Sequence, residues 1–117
     1  AATPPTLTID YRVADLFELG RTPARYDLIA EHTCFCAIDP LRRDEYVDQV
    51  AAALVPGGAL VGLFYAHGRP GGPPFTVDAD ELRARFGRRF LVDSLAPAAG
   101  SVLGRQGQEL LARFIRD

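Results

Sequence analysis

Residues 26–65 of the chain read YDLIAEHTCFCAIDPLRRDEYVDQVAAALVPGGALVGLFY, and this stretch decides the fold. Its first part, Tyr26–Ala30, is a short and nearly continuous apolar run, typical of a strand covered on both faces. Asp39-Pro40 then favours the start of a helix, with the proline at the first helical position. The helix should end at Pro56-Gly57-Gly58, which predicts a turn, and Ala59–Tyr65 predicts a second buried strand. A helix joined tightly to a strand on either side is the crossover unit of a parallel sheet.

The rest of the chain predicts further strands and one more helix. Apolar and polar residues alternate over Leu7–Val13, the period of a half-buried strand, and the polar connection Arg21–Arg25 leaves little room for a helix before Tyr26. Glycine and proline are so frequent in His67–Phe75 that this segment predicts a loop. The remaining predictions are a helix from Asp78 or Asp80 to Phe86, a strand over Phe90–Leu95, a loop over Ala96–Gly107 and a last strand over Glu109–Ile115, for which a helix is the alternative.

Composition indicates one folded domain over residues 1–117. A chain of 117 residues with 48% hydrophobic residues can bury a core if its elements pack in two or three layers. The formal net charge is −2, from 13 basic and 15 acidic residues. Such a balance does not indicate a nucleic-acid or anionic membrane surface, so we expect small-molecule partners.

The two cysteines indicate a reduced environment. Alternate side chains on one face of a strand lie ~6.5–7 Å apart, so Cys34 and Cys36 could not form an unstrained disulfide within one strand. No apolar run has the length of a membrane span, and no secretion leader is visible. These observations predict a cytoplasmic protein.

His32, Cys34 and Cys36 form a His-x-Cys-x-Cys pattern, and their side chains would share one face of an extended segment. A metal site is therefore one interpretation. Two others are buried structural cysteines and a reactive thiol. We favour structural cysteines, because cysteine is often a small buried hydrophobe and no fourth ligand has a suitable spacing.

Five segments together resemble the thiopurine methyltransferase family, which includes the plant and bacterial halide and thiol methyltransferases. They occur in the family's order and spacing, and the resemblance covers most of Leu7–Asp117. The stretch around Phe35-Cys36-Ala37 and the later Gly-Gly-Pro-Pro-Phe are the most specific. The five segments are Ala14–Leu19, Tyr26–Ile29, Glu31–Pro40, Leu54–Gly58 and Gly71–Phe75.

The resemblance implies an α/β fold, a Rossmann-like class I methyltransferase sheet with strand order 3-2-1-4-5-7-6 and an antiparallel seventh strand. The chain would supply strands 3 to 7 and lack the N-terminal glycine-rich βαβ half. Leu7–Val13 would then have no neighbour in the sheet, and an unpaired strand invites association. We expect a longer native protein, a rearranged sheet, or completion by self-association or a partner chain.

The resemblance also implies S-adenosyl-L-methionine as cofactor and a thiol, thiopurine-like compound or halide as methyl acceptor. Asp15 and Leu16 would border the adenine, and His32 and Thr33 would lie near the methionine end of the cofactor. The acceptor would contact Tyr65, Pro74 and Phe75. No catalytic residue is assigned, because displacement by a soft nucleophile depends mainly on positioning and desolvation.

Each of these assignments has a structural alternative. Asp15 would only cap a turn, His32 would be a solvated histidine at the edge of the core, and the loop would be an ordinary rigid connection with Phe75 packed on the core. For the whole chain, the alternative function is a non-catalytic, truncated methyltransferase-like module that associates with itself or with a partner chain.

Overall fold

The computed structural model describes residues 13–98 and 108–117. Of the strand predicted over Leu7–Val13, only Val13 lies within these ranges. Residues 99–107 of the predicted loop also lie outside them. No helix in the described part of the chain combines the length and apolar character that a membrane crossing requires.

The described part of the chain contains both helices and strands. Three α-helices and four strands are joined by two short 3₁₀ helices, one before β1 and one before α2. In chain order the elements are the first 3₁₀ helix Leu16–Arg21, β1 Tyr26–His32, α1 Cys34–Ala37, the second 3₁₀ helix Pro40–Arg42, α2 Arg43–Ala53, β2 Leu54–Tyr65, α3 Ala79–Phe86, β3 Phe90–Pro97 and β4 Glu109–Arg116.

The four strands form one sheet in the order β1-β2-β4-β3. β1 and β2 are parallel, whereas β4 is antiparallel to both of its neighbours, β2 and β3. This is the 4-5-7-6 part of the expected methyltransferase sheet, including its antiparallel seventh strand. The prediction of a partial Rossmann-like sheet is therefore confirmed, and Glu109–Arg116 forms a strand instead of the alternative helix.

The turn predicted at Pro56-Gly57-Gly58 is wrong, since these residues lie within β2. The helix already ends at Ala53, and the backbone of Leu54 is extended. Tyr26 pairs with Leu54 but Leu28 pairs with Ala59, so the extra residues of β2 form a bulge. Gly57 has a φ of +81°, and a Cβ on Gly58 would lie 2.9 Å from the Val55 carbonyl oxygen, which explains the two glycines.

Two further boundaries differ from the predictions. Leu16–Arg21 forms a 3₁₀ helix where little helix was expected, because the Asp15 carboxylate caps it by accepting a hydrogen bond from the Phe17 N–H. Pro40 begins the second 3₁₀ helix, and α2 starts only at Arg43. The helix predicted from Asp78 or Asp80 is confirmed, since Asp78 is the N-cap of α3.

A cluster of aromatic side chains fills the core on one face of the sheet. Phe86 of α3 stacks on Phe114 of β4 with ring centroids 4.3 Å apart. Phe35 of α1 lies edge-on to Phe64 of β2 at 5.5 Å. All four rings are fully buried, so α1 and α3 are both fixed to the same face of the sheet.

The opposite face of the sheet carries exposed apolar side chains that the described residues leave uncovered. The strand pairing aligns Leu28, Ala59, Ile115 and Leu91 in one row across the sheet. Leu28 and Leu91 are each 60% exposed, and Leu111 on the same face is 46% exposed. Tyr26–Ala30 was predicted to be covered on both faces; this is wrong for the described part of the chain, because its packed helices lie on the aromatic side only.

Candidate cofactor and acceptor site

A pocket of about 310 Å³ lies where the carboxyl ends of β1 and β2 meet. The carboxyl edge of parallel strands is the usual ligand-binding edge of open α/β sheets. One wall is the turn after β1, and the other is the loop after β2. The pocket is lined by Thr33, Cys36, Ala37, Tyr65, Pro73 and Pro74. Three residues predicted from sequence, Thr33, Tyr65 and Pro74, are thus brought together.

The turn after β1 has an unusual conformation. Thr33 has a φ of 66°, in the left-handed region that non-glycine residues rarely adopt, and its side chain does not cap α1. Its hydroxyl donates to the His32 carbonyl oxygen at 2.6 Å instead. The Glu31 carboxylate takes the capping role and accepts a hydrogen bond from the Phe35 N–H. The buried Phe35 ring fixes the other side of the turn in the core.

Glu31 is a buried carboxyl group, only 5% exposed. Burial raises its pKa to about 7, although the hydrogen bond from Phe35 partly offsets this effect. Within the described residues its second oxygen, Oε2, has no hydrogen-bond partner. Burial and the charge of Glu31 also raise the pKa of the Tyr46 hydroxyl.

The cysteines do not form the predicted extended pattern, because Cys34–Ala37 is a helical turn. Both thiols are free. Burial raises the pKa of both thiols, and the charge of Glu31 adds to this, so neither resembles an activated thiolate. No group of three or more His, Cys, Asp or Glu side chains suited to a metal occurs in the described ranges.

The loop after β2 is tied to its surroundings at both ends. The Phe75 N–H donates to the Cys36 carbonyl at 2.7 Å, and the Val77 N–H donates to the Tyr65 carbonyl at 3.2 Å. Across the loop, His67 Nε2 lies 2.7 Å from the Pro74 carbonyl oxygen. These bonds favour a fixed pocket wall over a hinged cover.

Phe75 does not line this pocket. Its ring stands against Gly72, where a Cβ would lie 2.6 Å from Phe75 Cδ1. It borders a separate cavity of about 370 Å³ with Arg43 and Arg69. Contact between Phe75 and the acceptor stays a prediction that this geometry does not favour.

Arg43 anchors the same loop from α2, and the sequence interpretation missed it. It is 2% exposed, and its Nη1 donates to the Thr76 carbonyl at 3.1 Å and to Glu81 Oε2 at 2.7 Å. Its Nη2 donates to the Phe75 carbonyl at 3.1 Å. Position 43 precedes Val47 and Val50 at helical spacing, and this signal could have revealed a buried position.

Asp15 and Leu16 lie away from this pocket. Asp15 borders a cavity of about 720 Å³ that also includes Tyr26, at the amino end of β1. Leu16 is partly buried against the core. The structural alternative for Asp15 is confirmed insofar as it caps a helix; its contact with adenine stays a prediction.

His32 is the last residue of β1 and lies in a solvated position. Its side chain is 63% exposed, and Nε2 lies 4.0 Å from Glu109 Oε2. This geometry matches the alternative of a solvated histidine at the core edge. A contact with the cofactor stays a prediction.

Known proteins resemble this chain over most of its length. The sequence profile of the thiopurine S-methyltransferase family matches residues 5–112. A probable thiol methyltransferase 2 of Arabidopsis thaliana is 33% identical over 92 residues, covering 77% of this chain and 41% of the relative. Thiopurine S-methyltransferase of Pseudomonas fluorescens (strain SBW25) is 33% identical over 106 residues, covering 88% of this chain and 45% of the relative.

The fold comparison agrees with the sheet described above. An S-adenosylmethionine-dependent methyltransferase from Mesorhizobium loti superposes with a TM-score of 0.71 at 18% identity, covering 97% of this chain and 72% of that chain. The chain spans less than half the length of the two curated relatives. Because the family profile spans nearly all of the sequence, the chain belongs to the thiopurine S-methyltransferase family.

Proposed function

We propose that this chain is the C-terminal part of an S-adenosylmethionine-dependent methyltransferase acting on a small soft nucleophile, namely a thiol, a thiopurine-like compound or a halide. The observation that carries the proposal is the convergence of Thr33, Tyr65 and Pro74 on one pocket at the carboxyl edge of the sheet. Membership of the family and the sheet order support it.

The residues of the pocket suit transfer to a soft nucleophile. None of the described residues that line it is charged, and Ala37, Pro73 and Pro74 give it apolar walls. Apolar walls strip water from a nucleophile, and a fixed loop holds it in line for displacement. When bound, the cofactor supplies an electrophilic methyl group on a sulfonium. The Tyr65 hydroxyl, which accepts a hydrogen bond from Arg69 Nη2 at 3.1 Å, is held at the pocket and could orient the acceptor.

A second candidate function is a non-catalytic methyltransferase-like module that associates with itself or a partner chain. The exposed leucines on the uncovered face, Leu28, Leu91 and Leu111, favour association, because monomers rarely expose large apolar patches. In the described ranges β1 is also an edge strand with no neighbour on one side. The two functions differ in whether the completed protein binds the cofactor.

Calorimetric titration with S-adenosylmethionine and S-adenosylhomocysteine separates the two functions. We expect weak or no binding by the isolated chain and micromolar binding once a polypeptide with a glycine-rich loop is supplied on its amino-terminal side. Transfer of a labelled methyl group to a small thiol by the completed protein would support the methyltransferase. Self-association without cofactor binding, in the isolated and the completed protein alike, would establish the non-catalytic module.

Asp15 provides a test of the proposed adenine contact. In the completed protein, Asp15→Ala should weaken cofactor binding by about 1–3 kcal/mol, because an acceptor for the adenine amine is lost. Asp15→Asn separates this role from helix capping, since asparagine retains an oxygen that can cap but replaces the other oxygen with a donor. Both variants should lose affinity in the titration. Unchanged affinity in Asp15→Asn would mean that Asp15 caps the helix but does not bind the adenine.

We propose a cytoplasmic location, supported by the two free cysteines. Cell fractionation with an antibody to the native protein tests it, and recovery in the membrane or secreted fraction would contradict it.

A further inference from the structure

Glu31 is a charged side chain in the core that the proposed reaction does not use. It lies one residue before the end of β1 and pairs with Gly62 of β2. A Cβ at Gly62 would lie 3.3 Å from the Glu31 Cβ and 2.7 Å from the Phe64 ring. The glycine therefore makes room for the carboxylate stem between the sheet and the aromatic cluster.

The carboxyl group of Glu31 connects the strand to the turn that follows it. Thr33 cannot cap α1, so the Phe35 N–H donates to Glu31 Oε1. A free N–H at a buried helix start would be costly, and Glu31 removes that cost. The turn, with Thr33 in the left-handed region, is held between this bond and the buried Phe35 ring.

The same turn forms one wall of the pocket. Thr33, Cys36 and Ala37 all line it. Cys36 also meets the opposite wall, because its carbonyl accepts from the Phe75 N–H and its Sγ accepts from the Tyr65 N–H at 3.3 Å. A displacement of the turn would therefore move both walls.

Among residues 13–98 and 108–117, no cation balances the charge of Glu31. From α1 it is faced by the thiols of Cys34 and Cys36, and from α2 by the Tyr46 hydroxyl. Arg43 of α2 acts on Cys36 but forms its ion pair with Glu81. β2 contributes Gly62, which has no side chain. The ionised form is thus buried with one oxygen unpartnered, whereas the neutral acid keeps an acceptor for the Phe35 N–H.

We propose that Glu31 is a positioning residue, which holds the Thr33–Ala37 turn in the shape that forms the pocket and holds it most firmly when the carboxyl group carries a proton. The use of the pocket for cofactor or acceptor rests on the proposed function. The control of the turn does not.

Hydrogen exchange of the Phe35 amide tests the proton dependence. With a pKa of about 7 in the closed turn and 4.5 when it opens, opening should become about tenfold easier between about pH 6 and about pH 8, beyond the intrinsic pH dependence of exchange. Glu31→Gln keeps a hydrogen-bond acceptor for the Phe35 N–H but cannot ionise. Its opening should therefore lose the extra pH dependence. Glu45→Gln, at an exposed glutamate of α2, is the matched control and should behave like the wild type. Equal pH profiles for the wild type and Glu31→Gln would overturn the proposal.

Backbone amide chemical shifts test the positioning itself. Glu31→Ala should displace the amide signals of Thr33, Cys36 and Ala37, and Glu31→Gln should restore them to near their wild-type positions. Unchanged signals in Glu31→Ala would overturn the positioning role. Neither measurement uses a ligand, so failure of cofactor binding would contradict the proposed function and leave this inference standing.

Discussion

Replacing Arg43 by methionine is expected to lower the free energy of unfolding by about 3 kcal/mol, the lower end of the cost of breaking a buried ion pair. Methionine fills most of the volume but leaves the carbonyls of Phe75 and Thr76 without their donor. Glu81 also loses an ion pair, but it retains Arg85, whose Nε lies 2.8 Å from the same oxygen. Urea denaturation at neutral pH measures the change.

Arg42→Met is the matched control for this prediction. Arg42 is adjacent in sequence and half-exposed, and it pairs with Glu45 at 3.0 Å on the surface. Exposed pairs of this kind contribute little to stability, so the control should unfold almost like the wild type. A similar loss in both variants, or no loss in Arg43→Met, would contradict the anchoring role of Arg43.

Replacing Glu31 by glutamine is expected to remove a pH-dependent loss of stability. The folded pKa of Glu31 is raised to about 7 from 4.5, so the native state binds more protons than the unfolded chain between these values. Stability of the wild type should therefore fall as pH rises from about 4.5 to about 7, and the full penalty of about 3 kcal/mol persists above that range. Glutamine does not ionise and carries no such penalty.

Denaturant unfolding at about pH 5 and about pH 8 measures this difference. The free energy of unfolding of Glu31→Gln, relative to that of the wild type, should rise by about 2–3 kcal/mol from about pH 5 to about pH 8. Glu45→Gln removes an exposed glutamate and should follow the wild type. If the difference in unfolding free energy between the wild type and Glu31→Gln does not grow with pH, the claim that Glu31 carries a buried charge above about pH 7 is wrong.

Much of the fold could be predicted from the sequence because its periodicity is strong. The apolar runs of β1 and β2, the helical spacing of α2 and the Asp78 cap all predict elements that the structure contains. The order of the strands came from the resemblance and not from periodicity. Tertiary contacts set the remaining boundaries, as at the Pro56-Gly57-Gly58 bulge, which pairing with β1 draws into the sheet.

The candidate site was predicted in part. Thr33, Tyr65 and Pro74 meet because they follow two adjacent parallel strands, which the sequence pattern already placed side by side. Glu31 and Arg43 were missed because charged residues are normally assigned to the surface. Strand periodicity puts Glu31 on the same face as Ile29, and helix periodicity puts Arg43 on the same face as Val47. Both are core positions, but the charge of the side chain concealed that signal. Asp15 illustrates the reverse, since its helix cap depends on local geometry that spacing does not reveal.

The exposed leucines on the uncovered side of the sheet affect how much folded protein a cell can accumulate. A polypeptide released from the ribosome with such a side uncovered is expected to be held by chaperones or to precipitate. Yield would then depend on how quickly that side is covered as well as on the stability of the fold.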